Sequence, residues 1–302
     1  MADIEVADIA VLLDAKATIG ESVLWEPTRS VLYWIDVKAP ALFELDPQSL
    51  AQRRWDLPAD VGAFALIEGE DAAIVALRTG LFRLALKDGS VEHVANPPFD
   101  PALHRFNEGA CDATGRFWVG TMFDPIADRT GHPSEPASLA TWTRESGLVV
   151  QPDTAELHNG MAWSPDGRSF YLSHSRQQTV FVFPFDVVTG RLGSRRRFAE
   201  LPTELGLPDG AAVDEEGAYW CALHGGGRLR RYAPDGSLLR EIALPVSQPT
   251  MCAFGGPDLT TLFISSATDK LTPSQRRREP LAGGLLRFEA GVRGAIRHCY
   301  VR

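Results

Sequence analysis

Five polar side chains stand at matching places in a sequence that is otherwise dominated by short, strand-like apolar runs. They are Glu21, Asn107, Asn159, Asp209 and Thr250, and each has an apolar or aromatic residue four positions later. The chain contains only three asparagines, at 96, 107 and 159, so two of the three belong to this set. Because strand interiors disfavour Asn and Asp, local propensity does not explain the pattern.

If these oxygen-bearing side chains converge, they favour a bound cation. Two carboxylates close together raise one another's pKa unless a positive charge lies between them. Carboxylate and amide oxygens suit a hard divalent ion such as Ca²⁺, Mg²⁺ or Mn²⁺, without excluding Zn²⁺ or Fe²⁺. Three protein ligands leave coordination positions open for water and substrate, which is typical of a catalytic metal.

An alternative interpretation of Asn159-Gly160 and Asp209-Gly210 is that both pairs are hairpin turns. Each pair is followed at once by a strand-like run, and a turn such as Ser164–Gly167 comes only later. The repeat therefore favours strand starts over turns.

The spacing of the five positions identifies a repeat. Successive starts lie 86, 52, 50 and 41 residues apart, and 86 accommodates two units, the second starting near Gly62. Units of this size correspond to one four-stranded propeller blade. The sequence therefore predicts an all-β fold, a six-bladed β-propeller with a central metal site. We expect residues 1–302 to form a single domain whose units start near residues 21, 62, 107, 159, 209 and 250.

A propeller ring must also be closed between the two chain ends. Both Ile4–Leu13 and Ala295–Val301 are strand-like, and we expect one of them to supply the closing strand. Two long excursions, Phe123–Ser138 and Lys270–Gly283, interrupt the repeat, and loops of this length usually serve as lids or binding elements.

The second strand of each unit should run antiparallel to the first, so residues about fifteen positions after a start should return to the same end of the blade. His174 and His224 share that offset. Two interpretations stay open for them, a role in lining the site and a structural role. Arg105, just ahead of Asn107, is either a donor to a polar substrate or a solvated arginine.

Composition and charge exclude several function classes. The 30 basic and 39 acidic residues give a net charge of −9, which disfavours a nucleic-acid partner. No apolar run is long enough to span a membrane, and the acidic start lacks the features of a secretory signal, so we expect a cytoplasmic protein. The four cysteines form no paired motif and are expected to be buried, reduced thiols.

Stretches that contain these residues resemble a known family. They are Gly20–Ser22, Arg105–Gly109, Asn159–Gly167, Pro208–Gly210 and Gln248–Asp258. In these stretches the sequence resembles the family of senescence-marker protein (regucalcin), gluconolactonase and luciferin-regenerating enzyme. The resemblance implies a six-bladed propeller and one divalent metal ion (Ca, Zn, Mn, Mg or Fe(II)) held by Glu21, Asn159 and Asp209.

The resemblance also implies an activity, the hydrolysis of a sugar-derived lactone such as gluconolactone, xylonolactone or arabinolactone to its aldonic acid. Asp209 would be both metal ligand and general base, while Arg105, Asn107 and Glu108 would hold hydroxyl groups of the sugar. The family commonly has Asp where this chain has Glu108, often Asp where it has His174 and often Trp where it has His224. These differences leave the exact lactone open. Two alternatives are a metal-dependent esterase or organophosphatase-like hydrolase, and a non-catalytic metal-binding propeller.

Overall fold

The computed structural model describes residues 4–5, 8–127 and 134–302. The strands in these residues form six sheets that are arranged as the blades of a six-bladed β-propeller, which confirms the predicted fold class. In each blade, antiparallel strands follow one another outward from an innermost first strand.

Two short N-terminal strands precede the first blade, β1 (Ile4–Glu5) and β2 (Ala10–Leu13). Blade 1 contains β3 (Gly20–Glu26), β4 (Val31–Asp36), β5 (Ala41–Leu45) and β6 (Gln52–Asp56). Blade 2 contains β7 (Val61–Leu66), β8 (Ala72–Leu77), β9 (Gly80–Ala85) and β10 (Val91–Ala95). Blade 3 contains β11 (His104–Cys111), β12 (Phe117–Phe123), β13 (Ala137–Thr143) and β14 (Gly147–Ala155).

The second half of the chain repeats the arrangement with small additions. Blade 4 contains β15 (His158–Trp163), β16 (Ser169–His174), β17 (Thr179–Asp186), β18 (Arg191–Leu192) and β19 (Arg196–Glu200). Blade 5 contains β20 (Leu207–Val213), β21 (Tyr219–His224), β22 (Arg228–Tyr232) and β23 (Leu238–Ala243). Blade 6 contains β24 (Pro249–Gly255), β25 (Thr261–Ser266) and β26 (Leu285–Glu289). Short helices occur at Ser175–Gln177, Thr203–Leu205 and, as α1, at Pro273–Arg278.

The N-terminal segment closes the ring. Strand β2 pairs antiparallel with β26 as the fourth strand of blade 6, and β1 adds to blade 5 as a parallel neighbour of β23. The C-terminal candidate, Ala295–Val301, contains no strand but forms isolated bridges such as Cys111 to His298 and Ile67 to Tyr300. Because Cys111 and Ile67 lie where first strands end, this segment crosses that end of the channel, which we call the lower end. The upper end is where the first strands begin.

A buried Asp–Trp pair recurs in alternate blades and shows how the repeat is built. The indole N–H of Trp118 donates to Asp112 at 2.9 Å, and that of Trp220 donates to Asp214 at the same distance. Both carboxylates are fully buried and each also accepts a bond from an arginine Nε–H. These contacts tie the end of the first strand to the second strand without leaving a buried charge unpaired.

Each first strand slips in register against the second strand near its upper end. The slips follow Glu21, Val61, Phe106, Asn159, Pro208 and Pro249. A bulge of this kind bends the strand and redirects a side chain. Ser22 and Gly160 lie inside two of the bulges with φ of 52° and 62°. Each of the five polar positions of the repeat therefore lies at a bulge. Each is either the last paired residue before the slip or the residue directly after it.

The remaining predictions concern loops, cysteines and membrane spans. All four cysteines are free, and Cys111, Cys221 and Cys252 are buried while Cys299 is partly buried. The excursion at Lys270–Gly283 contains α1, whereas Phe123–Ser138 lies partly outside the described residues, so a lid role for either stays a prediction. No helix within the described ranges has the length and apolar character required to cross a bilayer.

Candidate functional site

Three carboxylates from alternate blades converge at the upper end of the channel. Glu21 comes from β3, Glu108 from β11 and Asp209 from β20. Burial, and then the negative charge of Glu108, raises the pKa of Glu21 to about 8. Burial, followed by the charges of Glu21 and Glu108, raises the pKa of Asp209 well above its usual range. Burial also raises the pKa of Glu108 to about 7.

This concentration of buried negative charge is unfavourable without a cation. Glu21 and Asp209 offer carboxylate oxygens, and Asn159 offers an amide oxygen at the neighbouring bulge. The Asn159 amide is oriented by its Nδ2, which donates to Ser175 Oγ at 3.0 Å, while Ser175 donates onward to the Pro208 carbonyl at 2.6 Å. An all-oxygen donor set of this kind fits a hard divalent ion.

Asn107 and Arg105 are linked to this group by a chain of hydrogen bonds. Asn107 Nδ2 donates to Asn159 Oδ1 and to the His158 carbonyl, and Arg105 Nη1 donates to Asn107 Oδ1 at 3.0 Å. Arg105 is 5 % exposed and its Nε donates to Asp124 at 2.9 Å. It is therefore a buried, oriented arginine, and the alternative of a solvated side chain is wrong.

Glu108 has a different environment from the one expected of a sugar contact. Its two carboxylate oxygens accept the backbone N–H groups of Gly160, at 2.7 Å, and Met161, at 2.8 Å. Those N–H groups lie in the bulge that follows Asn159, so Glu108 holds that bulge across the boundary between blades 3 and 4. Because both oxygens are used in this way, the geometry does not support the expected contact of Glu108 with sugar hydroxyls.

The fifth repeated position, Thr250, is used within the fold. Its hydroxyl donates to the Gly20 carbonyl and lies 2.9 Å from Ser265 Oγ. Thr250 therefore fastens blade 6 to blade 1 next to Glu21.

His174 and His224 do lie at the upper end, because their partners across the sheet are His158 and Leu207. His174 is buried and its Nε2 lies 2.8 Å from Asp153 Oδ2, which supports the structural interpretation. Burial lowers the pKa of His224, and the charges nearest to it come from Asp269 and from basic side chains. A site-lining role for His224 stays a prediction.

A second group of metal-compatible residues consists of Asp153, His158 and His174, whose ligand atoms lie within 4.8 Å of one another. All three are buried, and Arg195 forms an ion pair with the Asp153 carboxylate. Although burial opposes it, hydrogen bonds from both rings lower the pKa of Asp153 far below its usual range. Arg195 and the ring N–H groups thus compensate this carboxylate. Glu21 and Asp209 form no ion pair among the described residues, and the charge of Arg105 offsets theirs only in part.

Sequence reasoning missed this second group and also a basic rim at the upper end. Lys38, Arg78 and Arg105 surround Asp60 and Asp124, with Lys38 Nζ 2.7 Å and 2.8 Å from the two carboxylates and Arg78 Nη2 2.6 Å from Asp124. Lys38, Arg78 and Asp124 each follow the second strand of a blade, in turns at the upper end. The signals in the sequence were the offset of His174, the position of His158 directly before Asn159 and that of Arg105 before Asn107.

Comparisons with known proteins identify the family of the chain. Residues 19–268 match the family model described as the SMP-30/Gluconolactonase/LRE-like region. The chain is 37 % identical to 6-deoxy-6-sulfogluconolactonase of Pseudomonas putida, over 92 % of this chain and 93 % of that protein. It is 32 % identical to regucalcin of Gallus gallus, over 91 % and 92 % of the two chains.

A solved structure extends the likeness to the whole fold. The calcium-binding protein regucalcin from Agrobacterium tumefaciens superposes with a TM-score of 0.90 at 25 % identity, covering 100 % of this chain and 99 % of that chain. The match of the family model spans most of the chain and includes every repeated polar position from Glu21 to Thr250. The chain therefore belongs to the SMP-30/gluconolactonase/LRE-like family.

Proposed function

We propose that this protein is a metal-dependent lactonase that hydrolyses a sugar-derived lactone to its aldonic acid. The observation that carries the proposal is the convergence of Glu21, Glu108 and Asp209 at the upper end of the channel, where their charges repel one another and favour a bound cation. Relatives named as lactonases support the enzyme class. A purely structural propeller would have no reason to maintain this charge.

Glu21, Asn159 and Asp209 would hold the ion. When bound, a divalent cation there would supply Lewis-acid polarisation of the lactone carbonyl. Asn107 and Ser175 would position the Asn159 amide for this role, and Glu108 would hold the bulge that follows it.

Asp209 would also act as the general base. It would accept a proton from the attacking water as a new bond forms between the water oxygen and the lactone carbonyl carbon. When the ring C–O bond breaks, Asp209 would return that proton to the departing ring oxygen, which becomes a hydroxyl group. A bound cation would favour the deprotonated form of Asp209, which is the form that accepts a proton.

Arg105 and Asn107 would orient the sugar. The Nη2 group of Arg105 donates to no atom in the described part of the chain, while its Nε and Nη1 are held by Asp124 and Asn107. A guanidinium fixed on two sides presents its free N–H groups in one direction, which favours a hydroxyl-bearing substrate over an apolar ester. This distinguishes the proposal from an organophosphatase-like hydrolase.

A lactone with a sulfonate group is a second candidate substrate. The Pseudomonas relative is named for such a compound, and the basic rim of Lys38, Arg78 and Arg105 lies beside Asn107. Asp60 and Asp124 offset two of these three positive charges, so an anionic substituent at the far end of the sugar would meet the excess of one. We therefore include it beside neutral aldonolactones in the test.

The test is proton release on addition of gluconolactone, xylonolactone, arabinolactone, 6-deoxy-6-sulfogluconolactone and an aryl ester. Each substrate is added to protein treated with chelator and then with or without Ca²⁺, Mn²⁺ or Zn²⁺. We expect metal-dependent release with at least one lactone, lost in Asp209→Asn and kept in Asp235→Asn, which changes an exposed turn carboxylate. No proton release with any lactone would favour a binding protein, and activity on the aryl ester alone would favour an esterase.

A further inference from the structure

The lower half of the central channel contains a cavity of about 390 Å³, between the bulges and the C-terminal segment that crosses the lower end. Its walls are mostly apolar, with Leu24, Phe64, Ala110, Met161, Ala212 and Phe254 among the lining residues. We propose that this cavity binds a small apolar monocarboxylate through Arg297 and Ser22. The proposal goes beyond the lactonase activity and does not depend on it.

Arg297 brings a positive charge into the cavity. It belongs to the C-terminal segment, which is anchored by hydrogen bonds from Ala295 N to the Val213 carbonyl and from Tyr300 N to the Leu66 carbonyl. Its guanidinium donates to the Val23 carbonyl at 3.3 Å. No carboxylate of the described residues lies within 4.0 Å of it, and burial lowers the pKa of Arg297.

The nearest negative charge does not neutralise this arginine. Glu108 lies close enough to influence Arg297 electrostatically, but both of its oxygens already accept backbone N–H groups. The guanidinium of Arg297 is half-buried and has no ion pair among the described residues, and its fork of donors matches a carboxylate. The remaining N–H groups of Arg297 therefore define an anion position.

Ser22 supplies a second polar group to the same cavity. Its Oγ is buried and has no hydrogen-bond partner among the described residues, and Ser22 lines the cavity. The backbone of Ser22 is held at φ 52° in the bulge, and its N–H donates to Glu21 at 2.9 Å. Buried hydroxyl groups are normally paired, which indicates a missing partner.

Together these groups specify the chemistry of the ligand. A carboxylate would satisfy Arg297, with Ser22 as a further donor, while an aliphatic or aromatic body would fill the apolar remainder. A polyhydroxylated aldonate would bury hydroxyl groups against apolar walls and is disfavoured. The site therefore differs from the lactone site at the upper end in both place and selectivity.

The test is calorimetric titration of the full chain with benzoate and hexanoate, and with benzamide, gluconate and inorganic phosphate as comparison ligands. We expect one saturable site for the two apolar carboxylates and none for the others. Arg297→Met should weaken the binding of benzoate at least about tenfold, because a charged hydrogen bond is lost. The matched control is Arg302→Met, which removes an exposed arginine directly after this segment that pairs with Glu70, away from the cavity.

A crystal soaked with 4-bromobenzoate locates the ligand independently of affinity, and we expect the anomalous bromine signal inside this cavity. If Arg297→Met does not fold, Arg297→Lys keeps the charge without the fork and should bind benzoate several-fold more weakly. The proposal is overturned by equal binding of gluconate and benzoate, or by unchanged affinity in the Arg297 variants. Bromine density elsewhere, or ordered water alone between Arg297 and Ser22, also overturns it.

Discussion

The carboxylates of Glu21, Glu108 and Asp209 are the residues on which the proposed chemistry depends most. They are held together although their charges repel, so we expect each to lower the stability of the metal-free protein. Replacing Asp209 by Asn should raise the free energy of unfolding of the metal-free protein at pH 8 by about 1 kcal/mol. The same change should abolish lactone turnover. Denaturant unfolding and a rate assay measure the two effects, and a loss of stability in this variant would contradict the expected repulsion.

The same carboxylates predict an unusual dependence of stability on pH. The pKa values of Glu21 and Glu108 are about 8 and 7 in the folded chain, against an ordinary 4.5. Between pH 4.5 and about 8, the folded state therefore binds more protons than the unfolded state. Stability of the metal-free protein should therefore be greatest near pH 4.5 and fall as pH rises to about 8.

A divalent ion binds the deprotonated side chains, so the increase in Tm on adding metal should grow over the same pH interval. Thermal melts between pH 4.5 and 8.5, with and without metal, check both statements. An increase in Tm that is independent of pH would show that these carboxylates are not the ligands.

The repeat singled out Glu21, Asn159 and Asp209 together with Asn107 and Thr250, because one offset recurs in five of the six units. The family resemblance then selected the first three as the expected ligands. Sequence reasoning did not reach Lys38, Arg78 or Asp124, which lie in connections after second strands, or Asp153, which lies in β14, outside the aligned first and second strands. Glu108 shows another limit, since sequence alone does not reveal that backbone N–H groups of the next blade occupy its oxygens.

Among the elements, the bulges of the first strands determine where the polar side chains point. Gly160 follows Asn159 at φ 62°, and an added Cβ there would lie 2.2 Å from Tyr219 Oη and 2.4 Å from Ser173 Oγ. Gly160→Ala should therefore cost about 2 kcal/mol or more of stability. It should also weaken metal binding, because Glu108 and Asn159 lie on either side of it.

Gly69→Ala is the matched control. Gly69 has a similar φ of 72°, but nothing lies within 4 Å of an added Cβ, so only the backbone cost of about 1 kcal/mol is expected. Unfolding curves and metal titrations of the two variants separate crowding at the bulge from backbone strain. Equal effects in both would show that the bulge has no special role.

For the molecule as a whole, ring closure by β2 is the feature that makes six blades one structure. Leu12 of β2 is 6 % exposed, whereas its neighbour Val11 is 42 % exposed. Leu12→Ala should lower the free energy of unfolding by about 2 kcal/mol or more, while Val11→Ala should stay within about 0.5 kcal/mol. Equal losses in denaturant unfolding would mean that β2 contributes little to closure.

The fold could be predicted because unit length and unit number fit the chain together. The sequence could not show which chain end closes the ring, because both termini are strand-like and either could pair with blade 6. The choice depends on long-range pairing of β2 with β26, and the C-terminal segment instead crosses the channel and carries Arg297.

The central claim is that Glu21, Asn159 and Asp209 hold the metal ion of a lactonase, and metal binding by matched variants tests it most directly. Chelator-treated wild-type protein, Asp209→Asn and Asp153→Asn are titrated with Ca²⁺, Mn²⁺ and Zn²⁺, and lactone turnover is measured on the same samples. We predict one ion per chain and restored turnover in the wild type and Asp153→Asn, and neither in Asp209→Asn. Undiminished metal binding in Asp209→Asn, with loss in Asp153→Asn, would contradict the account and place the ion at Asp153, His158 and His174.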